Sequence, residues 1–349
     1  MNNIKRRFRA PATQHRQEPI LLQEQGSFAF GGSVIRRPDG QTVHVDHGYV
    51  QYQIPVDAKD HAIVMWHGWG QTGRTWETTP DGREGFQSIF VRHGFPVYII
   101  DQPRRGRAGS SSVGVTLPGA SDPDFFITDQ FVFEAFRLGT WASDAAPKFA
   151  SGVSFDRGEH TLNQYLRQVA MSTGPDLFDE EVKELFSGAV ATLLDEIGPC
   201  VLLTHSTCGP FGWRVAMKST SVKGVVGYET SPFAFPESDP PESVPFDIPE
   251  LADWVAPDLR PDPLFDRLTK IPVQVVFGDN VDIHPEYRPY HARARQFIDV
   301  LRARGGDAEL LELVEHGLRG NTHFPFSDLN NLEVADLLIR WLSAKGLDA

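Results

Sequence analysis

Residues 200–213 read CVLLTHSTCGPFGW. An apolar run ends in Thr204-His205-Ser206-Thr207, and a glycine and a proline then open a helix-period segment, PFGWRVAMK. So abrupt a strand-to-helix turn is what a side chain needs if it is to stand clear of its own backbone. It is the geometry of a nucleophile elbow, usually written G-x-S-x-G. Strand and helix nearly collide there, so the positions two before and two after the serine must be small. Here they are Thr204 and Cys208, with Gly209 one step later. If Gly209 were the second glycine, Thr207 would be the nucleophile and His205 would occupy a tight position where an imidazole clashes. Ser206 is therefore the candidate. The plain alternative is a serine capping the helix on an inert turn.

Working outward, strand-like runs occur at 27–37, 42–55, 62–66, 96–101, 200–205, 223–229, 271–279 and 308–315. The early ones alternate apolar and polar residues, as hairpins do. The middle ones are continuously apolar, as in a parallel sheet covered on both faces. Helix-period segments lie between the later strands: GFQSIFVRH, EEVKELFSGAVATLLDEI, PFGWRVAMK, YHARARQFIDVLRARG and NLEVADLLIRWLSAK. The alternation predicts right-handed βαβ units in an α/β fold with a mostly parallel central sheet flanked by helices. Residues 108–175 and 231–268 break the rhythm, each just after a strand's carboxyl end, where open α/β sheets bind ligands. They are expected to be lid or cap insertions; ornamental surface loops are the alternative. The expected organisation is a polar arm over residues 1–25 and a single domain over 26–349.

The chain has 349 residues and a net charge of −13, with no lysine-rich stripe. That balance argues against nucleic acid as a partner and against binding an anionic membrane surface. No run of 18 uninterrupted apolar residues offers a membrane span. The basic start, MNNIKRRFRAPATQHRQEP, is followed by no apolar segment of the secretory kind. Localisation reads as cytoplasmic, or as periplasmic or secreted if a signal segment has been removed. Cys200 and Cys208 flank one strand, too far apart along an extended segment to bond, which suits a reduced compartment or a fold needing no staple. No cluster has metal-ligand spacing and no loop cradles phosphate, so no cofactor is expected. A homodimer is compatible with the sequence, which does not fix the oligomeric state.

A serine hydroxyl is a weak nucleophile unless a histidine takes its proton, and that histidine needs a carboxylate to hold its tautomer. In this fold the chain order is nucleophile, acid, histidine. After the last strand comes HGLRGNTHFPFSDLNN, 316–331. His316 abuts the strand, whereas His323 sits in a loop with the reach to swing over Ser206, and is preferred. For the acid, Glu229 ends the strand after the nucleophile strand, while Asp279 and Asp282 follow the next one. All three remain open on the residues alone. An oxyanion hole needs two backbone N–H groups, each worth about 3 kcal/mol. Thr207 should give one, and the HGWGQTG loop after AIVMW should give the other through Trp69.

The chain resembles an α/β-hydrolase, most of all the bacterial esterase 713-like serine esterases. The resemblance rests on HGWGQTGRTWETTPDGREGF (67–86), YIIDQPRRGRAGSS (98–111), LLTHSTCG (202–209), GYETSP (227–232), VVFGD (275–279) and GNTHFPFSDLNNLEVADLLIRWL (320–342). That group uses a seryl nucleophile in a glycine-poor elbow, a glutamate ending the next strand and a histidine near the C-terminus. These map onto Ser206, Glu229 and His323, with Asp282 as reserve acid. A tryptophan at position 69 would reshape the acyl pocket. The resemblance implies a serine hydrolase of a carboxylic ester or lactone acting through an acyl-enzyme. The alternatives are an acyltransferase or amidase with the same triad, or a non-catalytic binding member. Phe125, Phe126, Phe131, Phe133, Phe136 and Trp141 in the lid predict a small apolar or aromatic ester as substrate. The WETTPDGREG stretch is expected to brace the oxyanion loop. Arg104, Arg105 and Arg107 are expected to pair with local carboxylates, an anionic-substrate site being the rival reading.

Overall fold

The computed structural model describes residues 18–109, 111–112, 128–167, 178–246, 248–249 and 252–349. Its frame is an eight-stranded sheet: β1 (Leu22–Phe30), β2 (Gly48–Pro55), β3 (Ala62–Trp66), β4 (Val97–Asp101), β5 (Cys200–His205), β6 (Val222–Tyr228), β7 (Val273–Phe277) and β8 (Ala308–Glu312). The strand order is β1-β2-β4-β3-β5-β6-β7-β8. β2 is antiparallel to both β1 and β4, and every pairing beyond β4 is parallel. The chain thus crosses over twice near the middle, and β5 ends at the centre of the sheet.

Side-chain alternation explains the two layers of core. Val64, Trp66, Leu202 and Val275 point to one face, against α3 (Glu180–Ile197), α4 (Gly209–Lys218) and α5 (Tyr287–Ala303). Ile63, Met65, Val201, Leu203 and Val276 point to the other, against α1 (Phe86–Arg92) and α6 (Asn331–Ala344). All nine are wholly or almost wholly buried, which is why these strands read as apolar runs rather than alternations.

Two expected strands each divide. The 27–37 run breaks at Gly31-Gly32, both at positive φ, so that 33–36 leaves the sheet and pairs with 42–45 in a separate ribbon. The 42–55 run breaks at Asp46, φ 56°. β1 begins at Leu22, inside the stretch read as a polar arm, and Gln25 pairs with Gln53.

The first long insertion leaves the sheet after β4. Its described part holds α2 (Asp129–Ala135), capped by Thr128 Oγ1, which accepts from Phe131 N–H. Paired segments Gly139–Thr140 and Lys148–Phe149 and a helix over Glu159–Leu166 follow. The second insertion, after β6, pairs Ala234–Pro236 with Asp258–Arg260. Among the described residues no helix is long and apolar enough to cross a membrane.

Candidate active site

Ser206 follows β5 directly and adopts φ 52°, a left-handed conformation that costs a non-glycine residue about 1–2 kcal/mol. A single 3₁₀ turn, Ser206–Cys208, then runs into α4. The turn is tight at positions other than those the elbow pattern names. A methyl group added at Gly209 would come within 1.4 Å of Thr230 Oγ1, and one at Gly212 within 2.5 Å of Thr204 Cγ2. Glycine is needed where helix meets neighbouring turn, and that placement leaves Thr204 and Cys208 room for their side chains. Thr230 Oγ1 also donates to the Ser206 carbonyl at 2.8 Å, pinning the turn.

Ser206 and His323 line one cleft with Trp69, Thr207 and Glu229, and the cleft holds about 750 Å³ of unfilled space, its open mouth included. The remaining lining comes from the two insertions and α5: Phe131 and Phe136, Ser231 and Trp254, and Glu286, Tyr287 and Tyr290. Of the aromatic residues expected in the lid, Phe131 and Phe136 reach the cleft. Phe133 and Trp141 pack on one another instead. Phe125 and Phe126 lie outside the described residues.

Glu229 Oε2 stands 3.7 Å from His323 Nδ1, an electrostatic contact longer than a hydrogen bond. Its carboxylate is wholly buried, yet well supplied with donors. Arg137 Nη1 and Nη2 bind Oε2 and Oε1 at 2.9 and 2.7 Å, and Gly278 N–H donates to Oε1 at 2.6 Å. Burial pushes the carboxyl's pKa up, but Arg137 and His323 outweigh it and hold the value down at about 2. Burial and the Arg137 charge lower the pKa of His323, and Glu229 offsets them only in part. The imidazole is therefore neutral, and able to accept a proton, through the neutral pH range.

Three further contacts hold the histidine loop. Asp328, buried behind it, accepts from Thr322 N–H at 2.7 Å, from Thr322 Oγ1 at 2.8 Å and from Asn321 Nδ2 at 3.2 Å. Phe136 stacks on the His323 ring, centroids 5.2 Å apart. His205 Nε2 lies 2.9 Å from the His323 carbonyl, which only accepts, so the His205 proton is assigned to Nε2. Burial keeps His205 neutral by lowering its pKa well below the usual value. The histidine just before the nucleophile thus ties the elbow to the loop that carries the base.

Asp282 lies on the surface, three-quarters exposed, and its carboxylate pairs with Arg288 at 2.9 Å, outside the cleft. Asp279 is occupied with backbone, accepting from Gly320 N–H and Asn280 N–H. His316 is exposed at the end of a 3₁₀ turn.

Of the two conspicuous charged stretches, the first braces a different loop from the one expected and the second pairs with local carboxylates as expected. In WETTPDGREG, Arg83 donates to the Asp328 and Leu329 carbonyls and to Asn331 Oδ1, and Asn331 Nδ2 donates to the Glu84 carbonyl. That stretch anchors the histidine loop rather than the oxyanion loop. The oxyanion loop is held from PRRGRAG: Asp101 accepts from Arg107 Nε at 2.7 Å and from Gly73 N–H at 2.6 Å. Arg104 pairs with Asp46 at 2.8 Å. Arg104 and Arg107 are thus matched to local carboxylates. Gly68 lets the loop approach the elbow, since a methyl there would meet Ser206 Cβ at 2.9 Å.

Sequence reasoning missed Arg137, Asp328, Glu286 and the role of His205. Asp328 and His205 lay within motifs already singled out, while nothing local marks Arg137 or Glu286. Among the described residues no group of three or more His, Cys, Asp or Glu side chains is arranged to hold a metal ion.

No family model matches the chain. A solved bacterial esterase is 30% identical, covers 95% of this chain and 99% of its own, and superposes with a TM-score of 0.75. The chain belongs to the α/β-hydrolase superfamily, among the bacterial esterases. This α/β-hydrolase is also 29% identical over 330 residues to a protein of a fungal species (strain ATCC 74256) named "Probable secreted lipase phiG". That match spans 84% of this chain and 85% of the fungal one.

Proposed function

We propose that this α/β-hydrolase cleaves carboxylic esters through an acyl-enzyme formed on Ser206. The observation that carries the reading is Ser206 and His323 opening into one cleft, with the ionised Glu229 behind the histidine. The esterase and lipase names of the two relatives support the substrate class.

In the proposed cycle His323 takes the hydroxyl proton as Ser206 Oγ adds to the ester carbonyl. The negative charge passes to the carbonyl oxygen, where Trp69 and Thr207 N–H groups hold it. The intermediate collapses, the C–O bond to the alcohol breaks, and His323 returns the proton to the departing alkoxide. Water, deprotonated by His323, then adds to the acyl-enzyme and restores Ser206 with release of the acid. Glu229 keeps the imidazole oriented and stabilises it while it is charged. The contact of 3.7 Å suits the free enzyme, because such bonds are often long before substrate binds and shorten in the complex. Phe131, Trp69, Trp254 and Tyr290 at the cleft favour an apolar or aromatic ester, a lactone included. The fungal relative's description as secreted supports an exported location for this chain over a cytoplasmic one.

Stopped-flow release of nitrophenol from short nitrophenyl esters tests this. The wild type should give a burst equal to the enzyme concentration. Ser206→Ala should lose it with roughly a 10⁴-fold or greater fall in kcat, while Thr207→Ala keeps it. Loss of the burst in Thr207→Ala alone would move the nucleophile one residue along the turn.

A further inference from the structure

One wall of the cleft carries a charge that the proposed hydrolysis does not use. Glu286, at the start of α5, lines the same cavity as Ser206 and His323, and its side chain is 13% exposed. Its nearest recorded ionic partner among the described residues is His284 Nδ1, at 3.6 Å. Burial lowers the His284 pKa, so that imidazole carries no charge at neutral pH and cannot neutralise the carboxylate. Arg137, the cation whose field reaches Glu286, is already committed to Glu229 through two hydrogen bonds. With Arg137 and Glu229 cancelling and His323 neutral, the described cleft is left with one negative charge whenever Glu286 is ionised.

The surrounding lining is aromatic. Tyr287 already has the Arg137 guanidinium over its ring at 4.3 Å, and Phe136 is stacked on His323. Trp69, Phe131, Trp254 and Tyr290 reach the cleft while retaining part of their surface. Aromatic faces and one buried carboxylate attract an alkylammonium group by two routes, ring quadrupole and charge. A neutral substrate leaves the carboxylate unmatched in an apolar wall, which is costly. The net charge of −13 also draws cations towards the mouth.

We propose that Glu286 is a specificity-determining residue that selects esters carrying a tertiary or quaternary ammonium group, held between its carboxylate and the cleft aromatics. This rests on the ester-hydrolase reading for the identity of the reacting group, but not for binding of the cation. Burial raises the Glu286 pKa to about 7, so the cation should bind better as pH rises through that value. The titratable and charged groups facing it are His284 on its own loop, Tyr287 and Tyr290 on α5, Arg137 and Glu134 from the first insertion, and Glu229 and His323 across the cleft. His284 and His323 have lowered pKa values and Glu229 stays ionised down to about pH 2. Of the groups facing it, Glu286 is thus the one expected to titrate in that window; Asp328, which burial also raises to about 7, sits behind the histidine loop and is not among the residues that line the cleft.

The test compares trimethylammonium-alkyl esters with two- to four-carbon spacers against their tert-butyl isosteres, with the same acyl group, at pH 8.5. The readout is the kcat/KM ratio within each protein, which cancels any general loss in a variant. For the best spacer the wild type should favour the cation by about tenfold or more, and Glu286→Gln should bring the ratio to within about twofold of one. No preference in the wild type, or a preference that survives in Glu286→Gln, overturns the proposal. A second arm needs no turnover: calorimetric binding of benzyltrimethylammonium to Ser206→Ala should tighten about tenfold between pH 6 and 8.5. Adding Glu286→Gln should abolish that pH dependence. Cation binding without hydrolysis of any ester would sink the hydrolase reading and keep this one. Ester hydrolysis with no cation preference and no cation binding would do the reverse.

Discussion

Arg137 and Arg214 are both almost wholly buried, at 0% and 2% exposed, and each holds carboxylate through its guanidinium, Arg214 with both edges and Arg137 with its two Nη groups alone. Arg214 rises from α4 and binds Asp258, Glu180 and Glu184, joining α3, α4 and the second insertion. Its glutamate partners are half exposed or more, at 61% and 51%, so water already solvates much of their charge. Arg137 instead faces one carboxylate with no exposure at all, and also donates to the Thr322 carbonyl next to His323 at 2.9 Å. The outcome differs in sign. Burial wins at Asp258, whose pKa is raised, whereas the cations win at Glu229, held at about 2. The same residue type ties helices together in one place and in the other keeps a candidate catalytic carboxylate charged. The first insertion, which supplies Arg137, is therefore wired into the site rather than laid over it.

Removing each arginine separates the two roles. Arg137→Met strands a buried carboxylate and should cost about 3–5 kcal/mol of stability by thermal or denaturant unfolding. It also removes a cation that disfavours protonation of both Glu229 and His323. The acid limb of kcat/KM, lying below the ordinary histidine value in the wild type, should therefore move to higher pH. Glu229 itself links stability to pH. With its folded pKa depressed, its contribution of roughly 3 kcal/mol is present above about pH 4.5 and fades as pH falls towards 2. Arg137→Met should lose most of that acid dependence.

Arg214→Met should cost about 1–3 kcal/mol, since two of its partners can turn to water. Its acid limb should coincide with that of the wild type. A shifted limb would mean that the two arginines are not distinct in the way described. The smallest effect belongs to the exposed Arg288–Asp282 pair: Asp282→Asn should change stability by less than about 1 kcal/mol and leave kcat/KM unaltered. A large loss of activity there would return Asp282 to the site as its acid.

Much of this arrangement was legible from local sequence. Continuous apolar runs announced strands buried on both faces, and their alternation with helix-period segments announced the parallel sheet, because both are consequences of burial along the chain. Ser206 and His323 were marked by the turns that carry them. What was not legible depends on contacts between distant segments. Arg137 meets Glu229 across 92 residues, and Arg83 meets the histidine loop across nearly 250, so neither leaves a local pattern. The elbow shows the same limit: the glycines it needs are at 209 and 212, outside the pattern, and Gly209 is set by Thr230, on a turn the pattern does not include. The run breaks at Gly31-Gly32 and Asp46 depended on backbone turns within otherwise strand-like composition.

The most direct test of Ser206 as nucleophile is covalent capture. The protein would be treated with a small alkyl fluorophosphonate, weighed intact, and the adduct located by peptide mass spectrometry. One adduct per chain, on Ser206 and absent from Ser206→Ala, is the expected result. An adduct on Thr207, or none while nitrophenyl esters are still turned over, would contradict the account.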